Sequence, residues 1–167
     1  MLVIDGAMGT AIQDRDLGPD DFGGLEYEGC NEYLTVTRPD VIEDIHRSYL
    51  EVGADIIETN TFGATPVVLA EYGLAHEARR LNRESAELAR RVADAASTPD
   101  KLRFVAGSMG PTTKTISVTG GVTFEELQES YFVQAQGLLS GGADYLILET
   151  CQDARNIKAG LLAIAAA

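Results

Sequence analysis

Apolar runs that end in a carboxylate, separated by stretches of helical periodicity, constrain this chain more than any other feature. LVIDG closes on Asp5, ADIIETNTF carries Glu58, and DYLILETC carries Glu149. Each run has the length and composition of a buried strand. Helices between successive strands make those strands parallel. Ligands of parallel α/β folds bind at the carboxyl ends of the strands. Three carboxylates at such ends therefore point to a site that grips a cation or performs acid–base chemistry.

The spacing between the runs predicts the remaining elements. Asp14 to Gly29 is polar and rich in Gly and Asp, and reads as a long loop. Thr37 is a candidate helix cap with Asp40 three residues on and Pro39 in the first turn, and Val41, Ile45, Tyr49 and Val52 form one face. A second helix is expected from His76 to Ala96 with Leu81, Leu88 and Val92 inward, then a turn and a strand at 102–110. Thr123 and Glu126 spell a capping box for a helix striped by Phe124, Leu127, Tyr131, Ala135 and Leu138. Asp153 is the candidate cap of a last helix through Ile157, Leu161 and Ile164. One internal echo stands out: Gly53-Ala54-Asp55, an apolar strand and Glu58-Thr59 recur as Gly142-Ala143-Asp144, a strand and Glu149-Thr150. With the strand at residues 2–5 the count is four βα units, which suits the first half of a (β/α)8 TIM barrel or an open flavodoxin-like sheet.

Composition removes whole classes of function. A net charge of −13 repels phosphates, so neither nucleic acid nor an anionic membrane is an expected partner. Arg79, Arg80, Arg83, Arg90 and Arg91 alternate with Glu77, Glu84 and Glu87 on one helical stretch and read as a solvated face. No basic leader precedes an apolar core at the N-terminus, and no run approaches the ~18 apolar residues of a membrane span. Cys30 and Cys151 are the two cysteines, without CxxC or Cys/His ligand spacing, which fits a reducing, cytoplasmic setting.

Several motifs carry chemistry, each with a bland alternative. Asp5-Gly6-Ala7-Met8-Gly9-Thr10 sets a carboxylate beside a turn whose backbone N–H groups can approach a ligand; the alternative is a tight turn that Asp5 merely caps. Glu149 follows three apolar residues and needs a partner, either a ligand or a structural ion pair. Glu58 is its equivalent by the repeat. Gly107-Ser108-Met109-Gly110-Pro111-Thr112-Thr113-Lys114 lacks phosphate-loop spacing, and Pro111 lacks a donor, so it reads as a strand-end loop lining a pocket. His46 and His76 read as surface histidines, and Cys30 as a packed small residue. Cys151 falls beside Glu149.

Taken in order, the segments LVIDGAMGTAIQ (2–13), GCNEYL (29–34), TRPDVIEDIH (37–46), GADIIETNTF (53–62), VAGSMGPT (105–112) and GADYLILETCQD (142–153) resemble the homocysteine-binding domain of cobalamin-dependent methionine synthase. They are similar, more weakly, to betaine- and S-methylmethionine-dependent homocysteine methyltransferases. The resemblance implies a (β/α)8 barrel in which zinc, held by three cysteines, turns the homocysteine thiol into a thiolate nucleophile. Methylcobalamin then donates the methyl group, and a methyltetrahydrofolate module recharges it. By motif, Asp5 and Glu149 correspond to the carboxylates that hold the homocysteine ammonium. Gly6 and Ala7 correspond to the turn near its carboxylate, and Glu58 and Asn60 to the second-strand motif.

The family's zinc cysteines lie in a single-cysteine motif and a Cys-Cys pair on later barrel strands, and neither motif occurs in these 167 residues. The expectation is the N-terminal half of the domain, truncated before the zinc half. It would bind substrate and hold no catalytic or metal-ligating residue of its own. Open strand edges in such a half-barrel imply self-association or a complementary barrel half. The rival readings are a non-catalytic half-barrel that binds an amino acid or a partner chain, and an unrelated α/β enzyme using a carboxylate pair.

Overall fold

The computed structural model describes residues 1–117 and 120–167. Three parallel strands, β1 (Ile56–Glu58), β2 (Phe104–Met109) and β3 (Tyr145–Leu148), form a sheet in the order β1-β2-β3. Ile57 pairs with Val105, and Ser108 with Ile147. The expected first strand is reduced to an extended segment beside β1. Ile4 bridges Ile56, the N–H groups of Asp55 and Ile56 donate to Val3 O, and Asp5 N–H donates to Ile56 O. Among the described residues this segment has a sheet neighbour on one side only, and Leu2 and Val3 are exposed, so too little holds it for a full ladder. The sheet thus shows three strands and one bridging segment rather than four complete βα units.

Seven α-helices accompany the sheet among the described residues: α1 (Met8–Gln13), α2 (Leu34–Thr37), α3 (Pro39–Glu51), α4 (Pro66–Leu69), α5 (Ala78–Ala96), α6 (Phe124–Ser140) and α7 (Ala154–Ala166). Strand side chains alternate between faces. Ile57 and Val105 pack with α3 and α5, while Met109, Leu146 and Leu148 pack with α6 and α7. Val105 and Met109 share a parity, so all four long helices cover the same face of the sheet. A doubly wound, flavodoxin-like sheet needs helices on both faces. The opposite face carries Glu58, Ser108 and, just past β3, Glu149.

The Gly-Ala-Asp repeat has one structural meaning in both copies. Gly53 (φ 112°) and Gly142 (φ 93°) take left-handed turns out of α3 and α6. Asp55 and Asp144 then accept the N–H of Val3 and Val105 at 2.9 and 2.7 Å, pinning the neighbouring segment's start. At the other end of α6, the predicted capping box is formed: Thr123 Oγ1 accepts Glu126 N–H and Glu126 Oε2 accepts Thr123 N–H.

Other expectations are corrected. Thr37 does not cap α3; it ends α2 and its hydroxyl donates to Tyr33 O, so it is already helical when Pro39 begins the next helix. Val52 lies beyond α3 and is 84% exposed. The inward face of α7 is Asn156, Ala159, Gly160 and Ala163, while Leu161 is exposed. Small residues win there because the helix lies close to the sheet: a Cβ on Gly160 would stand 2.9 Å from Leu148 Cδ2. Arg90 is more than a solvated charge, since it forms an ion pair with Asp94, donates to Asp144 and to the carbonyl of Arg103, and ties α5 to the starts of β2 and β3. The long loop is ordered by turns, a 3-10 turn at Leu25–Tyr27, buried Phe22 and an Asp21–Arg38 ion pair. Among the described residues, no helix is long and apolar enough to cross a membrane.

Candidate functional site

The carboxyl ends of the strands open into a cavity of about 480 Å³, within the range of small-molecule sites. Asp5, Gly6, Ala7, Glu58, Asn60 and Glu149 all line it, so the six residues matched to the substrate-binding motifs face one space. Parallel register accounts for the convergence: Glu58 pairs with Ala106, Ser108 with Ile147, and Glu149 N–H extends the ladder to Met109 O.

Each acidic side chain is fixed differently. Asp5 Oδ2 accepts the N–H of Glu58 at 3.0 Å, whereas its Oδ1 is buried without a hydrogen-bond partner. Burial pushes the Asp5 carboxyl up to about 7 against the pull of that N–H bond, and the charge of Glu149 adds to the rise. Glu58 is also raised to about 7, first by burial and then by the charges of Glu149 and Asp5. Glu149 Oε1 accepts a 2.6 Å bond from the Ser108 hydroxyl. Asn60 is buried and donates through Nδ2 to Asn31 O at 2.7 Å, which ties the loop after β1 to the 31–33 turn. Tyr49 of α3 bears on the Gly6-Ala7 turn, donating to Ala7 O, and a Cβ on Gly6 would stand 3.2 Å from its hydroxyl. No Lys, Arg or His lines the cavity among the described residues. Four acidic residues, Asp5, Glu32, Glu58 and Glu149, with no basic side chain among the lining make a space suited to an incoming ammonium group.

A family model described as homocysteine S-methyltransferase matches residues 2–167. The chain belongs to the homocysteine S-methyltransferase family. Among its relatives, a methionine synthase from Mycobacterium leprae (strain TN) is 50% identical over 162 residues, and one from Mycobacterium tuberculosis (strain ATCC 25618 / H37Rv) is 49% identical. Each match takes in 97% of this chain but 13% of the relative, so the chain spans a small part of those proteins' length. Among solved structures, the metallated form of the Escherichia coli homocysteine methyltransferase MmuM superposes with a TM-score of 0.79 at 28% identity, covering 99% of this chain and 59% of that one. Its oxidized form gives 0.80 at 27% identity, with 58% of that chain covered.

Two further residues line the cavity. Ser108 holds Glu149 and belongs to the stretch expected to line a pocket: it occupies the last inward position of β2, as Glu58 does in β1. Glu32 also lines the cavity, accepts Gly63 N–H at 2.7 Å, and has its carboxyl raised by burial. Nothing local marks it, because its partner lies 31 residues away in sequence.

The histidines and cysteines divide. His76 is exposed, as expected. His46 is not a surface residue: it is fully buried in α3, neither ring nitrogen has a partner, and burial lowers it to about 4. Cys30 is packed with Leu69, Leu74 and Leu81, and burial pushes its thiol up to about 12. Cys151 lines a separate cavity of about 140 Å³ with Asp153 and Asn156, and its Sγ is directed at Glu149 O.

Proposed function

We propose that this chain binds the amino-acid end of homocysteine for methyl transfer to the homocysteine sulfur, as the substrate-holding part of a methionine synthase-type (β/α)8 barrel domain. The observation that supports it most is the cavity itself, with Asp5, Glu58 and Glu149 converging from three chain segments and no basic residue among its lining. In this reading Asp5 and Glu149 hold the substrate ammonium. The backbone at Gly6 and Ala7 lies beside the substrate carboxylate, and Asn60 keeps the opposite wall in place. One-sided helix cover and consecutive strand order support the barrel assignment. The identity of about half to methionine synthases, against 28% to MmuM, favours methylcobalamin over S-methylmethionine or betaine as the donor. Cobalamin and methyltetrahydrofolate would be handled by other modules.

The residues of this chain do not fit the zinc that would activate the thiol. Cys30 is sealed in apolar packing with its proton retained, and Cys151 opens into another cavity. Among the described residues no three His, Cys, Asp or Glu side chains are grouped to hold a metal ion. Zinc ligation therefore falls to cysteines other than these two, in a complementary barrel half.

Calorimetric titration of the chain with L-homocysteine and with its desamino analogue tests the binding role. Saturable binding of homocysteine, weakened at least tenfold in the desamino analogue and in Glu149→Gln, is expected. Equal affinity for both ligands would remove the ammonium role. Methyl transfer with zinc and methylcobalamin, appearing only when a cysteine-bearing second barrel half is added, would establish the catalytic half of the reading. Homocysteine binding with no transfer in an assembled mixture would leave an amino-acid-binding module.

A further inference from the structure

One acidic residue of the cavity is engaged differently from the others. Glu32 directs both carboxyl oxygens into the chain: Oε1 accepts Gly63 N–H at 2.7 Å, and Oε2 accepts the Cys30 thiol at 3.9 Å. Asp5 contrasts with it, since its Oδ1 has no hydrogen-bond partner. The turn that carries Glu32 has a firm footing, because Cys30 and Leu34 on either side are buried. Within the same turn Asn31 O accepts Asn60 Nδ2 at 2.7 Å, so the loop after β1 is gripped at Asn60 and at Gly63. The helices hold that loop from behind: Ser85 Oγ of α5 accepts Asn60 N–H at 3.0 Å, and Gln134 Nε2 of α6 donates to Thr61 O at 2.7 Å. Gly110 N–H donates to Phe62 O at 2.9 Å. The loop presents Asn60, Thr61 and Phe62 to the cavity, and Phe62 is 42% exposed. A large apolar side chain is thus left bare at the cavity on a backbone fixed from each side. Close approach is required at Gly63, where a Cβ would stand 2.8 Å from Glu32 Oε1.

Resting on the homocysteine-binding reading above, we infer that Glu32 is a positioning residue. Its carboxyl clamps Gly63, so that Asn60 and Phe62 form a ready-made wall for the substrate side chain, and it takes no part in holding the ammonium. A wall held in place spares the ligand the cost of ordering a loop. The clamp requires an acceptor oxygen and not a negative charge. A glutamine at this position keeps a carbonyl acceptor for Gly63 N–H, whereas a methionine of similar length offers only a weakly accepting sulfur.

The test joins calorimetric titration with L-homocysteine and its desamino analogue to amide hydrogen exchange read residue by residue. Glu32→Met should weaken homocysteine binding about tenfold, while the preference over the desamino analogue stays that of the unaltered chain. Exchange should quicken at Gly63 and stay unchanged in the three strands. Glu32→Gln should bring affinity back to within about threefold and restore protection at Gly63. Gly63→Ala opens the same contact from the other side and keeps the test decisive if Glu32→Met does not fold. It should weaken homocysteine alike, and the two changes together should cost little more than either alone. Glu32→Gln binding as weakly as Glu32→Met, with a reduced preference for the amino group, would overturn the clamp and make Glu32 part of the ammonium grip. Unchanged homocysteine affinity in Glu32→Met, or unchanged protection of Gly63 there, would overturn it too. Equal affinity of the unaltered chain for both ligands would overturn the ammonium reading instead, with Gly63 exchange still deciding the clamp. No homocysteine binding by the unaltered chain would overturn both.

Discussion

Ser108 and His46 show at single-residue scale how differently the same sequence can be read. Ser108 holds one oxygen of Glu149 and leaves the rest of the carboxylate to the cavity. Ser108→Ala should weaken homocysteine binding about tenfold, as loss of a bond to a charged group does, while Ser108→Thr retains most of the affinity; a titration of both variants checks this. An unchanged Ser108→Ala affinity would make the bond incidental. His46 flanks the apolar stripe of α3 and reads as a surface histidine, yet it is buried. Its folded pKa of about 4 lies below the ordinary 6.5, so the unfolded chain binds the extra proton first as pH falls. The stability tied to its neutral form is complete above about 6.5 and is lost progressively toward pH 4, to the extent of roughly 3 kcal/mol. Asp5 and Glu58 act in the opposite sense, because their raised pKa values favour the folded state as pH falls toward 4 and cost stability as pH rises through 7. The clean measurement is therefore a difference: in urea unfolding, His46→Leu should gain on the unaltered chain between pH 7 and pH 5. Parallel pH profiles for the two would show that His46 is solvated after all.

Elements were most legible where backbone chemistry is local. The capping box of α6 and the Gly-Ala-Asp exits into β1 and β3 formed as read, because each rests on residues within a few positions of one another. Helix faces were less legible where small residues pack. On α7 the leucines turn outward and Ala159, Gly160 and Ala163 turn inward, because close approach to β3 matters more there than side-chain hydrophobicity. The contact between α5 and α6 follows the same rule. A Cβ on Gly137 would lie 2.7 Å from both Arg79 O and Asn82 Cβ, so neither neighbour has room to yield cheaply. Gly137→Ala should therefore destabilise the chain by about 2 kcal/mol despite the better helix propensity of alanine, as seen in the midpoint of chemical unfolding. A more stable variant would mean that the two helices separate without cost.

For the molecule as a whole, the helices cover one face of the sheet while the other carries Ile56, Phe104, Tyr145 and Ile147 beside the carboxylates. Leu2, Val3, Leu161 and Leu162 add exposed apolar surface at the two edges. Parallel sheets are stable when both faces are covered, and unpaired edges recruit further chains. Sedimentation velocity should show mass rising with concentration, and Leu161→Glu with Leu162→Glu should reduce it; a clean monomer at high concentration would count against the association. The sequence by itself determined the α/β class, the parallel sense of the strands, the turn chemistry and the family, since these follow from periodicity and from ordered local motifs. It also marked Asp5, Glu58 and Glu149, because strand ends are visible along the chain. Only the tertiary structure decided that the first apolar run pairs as a single bridge, that His46 is interior, that Ser108 bonds Glu149, and that Glu32 belongs to the cavity. Those outcomes depend on contacts between residues tens of positions apart, where register and close packing, not local pattern, set what each side chain meets.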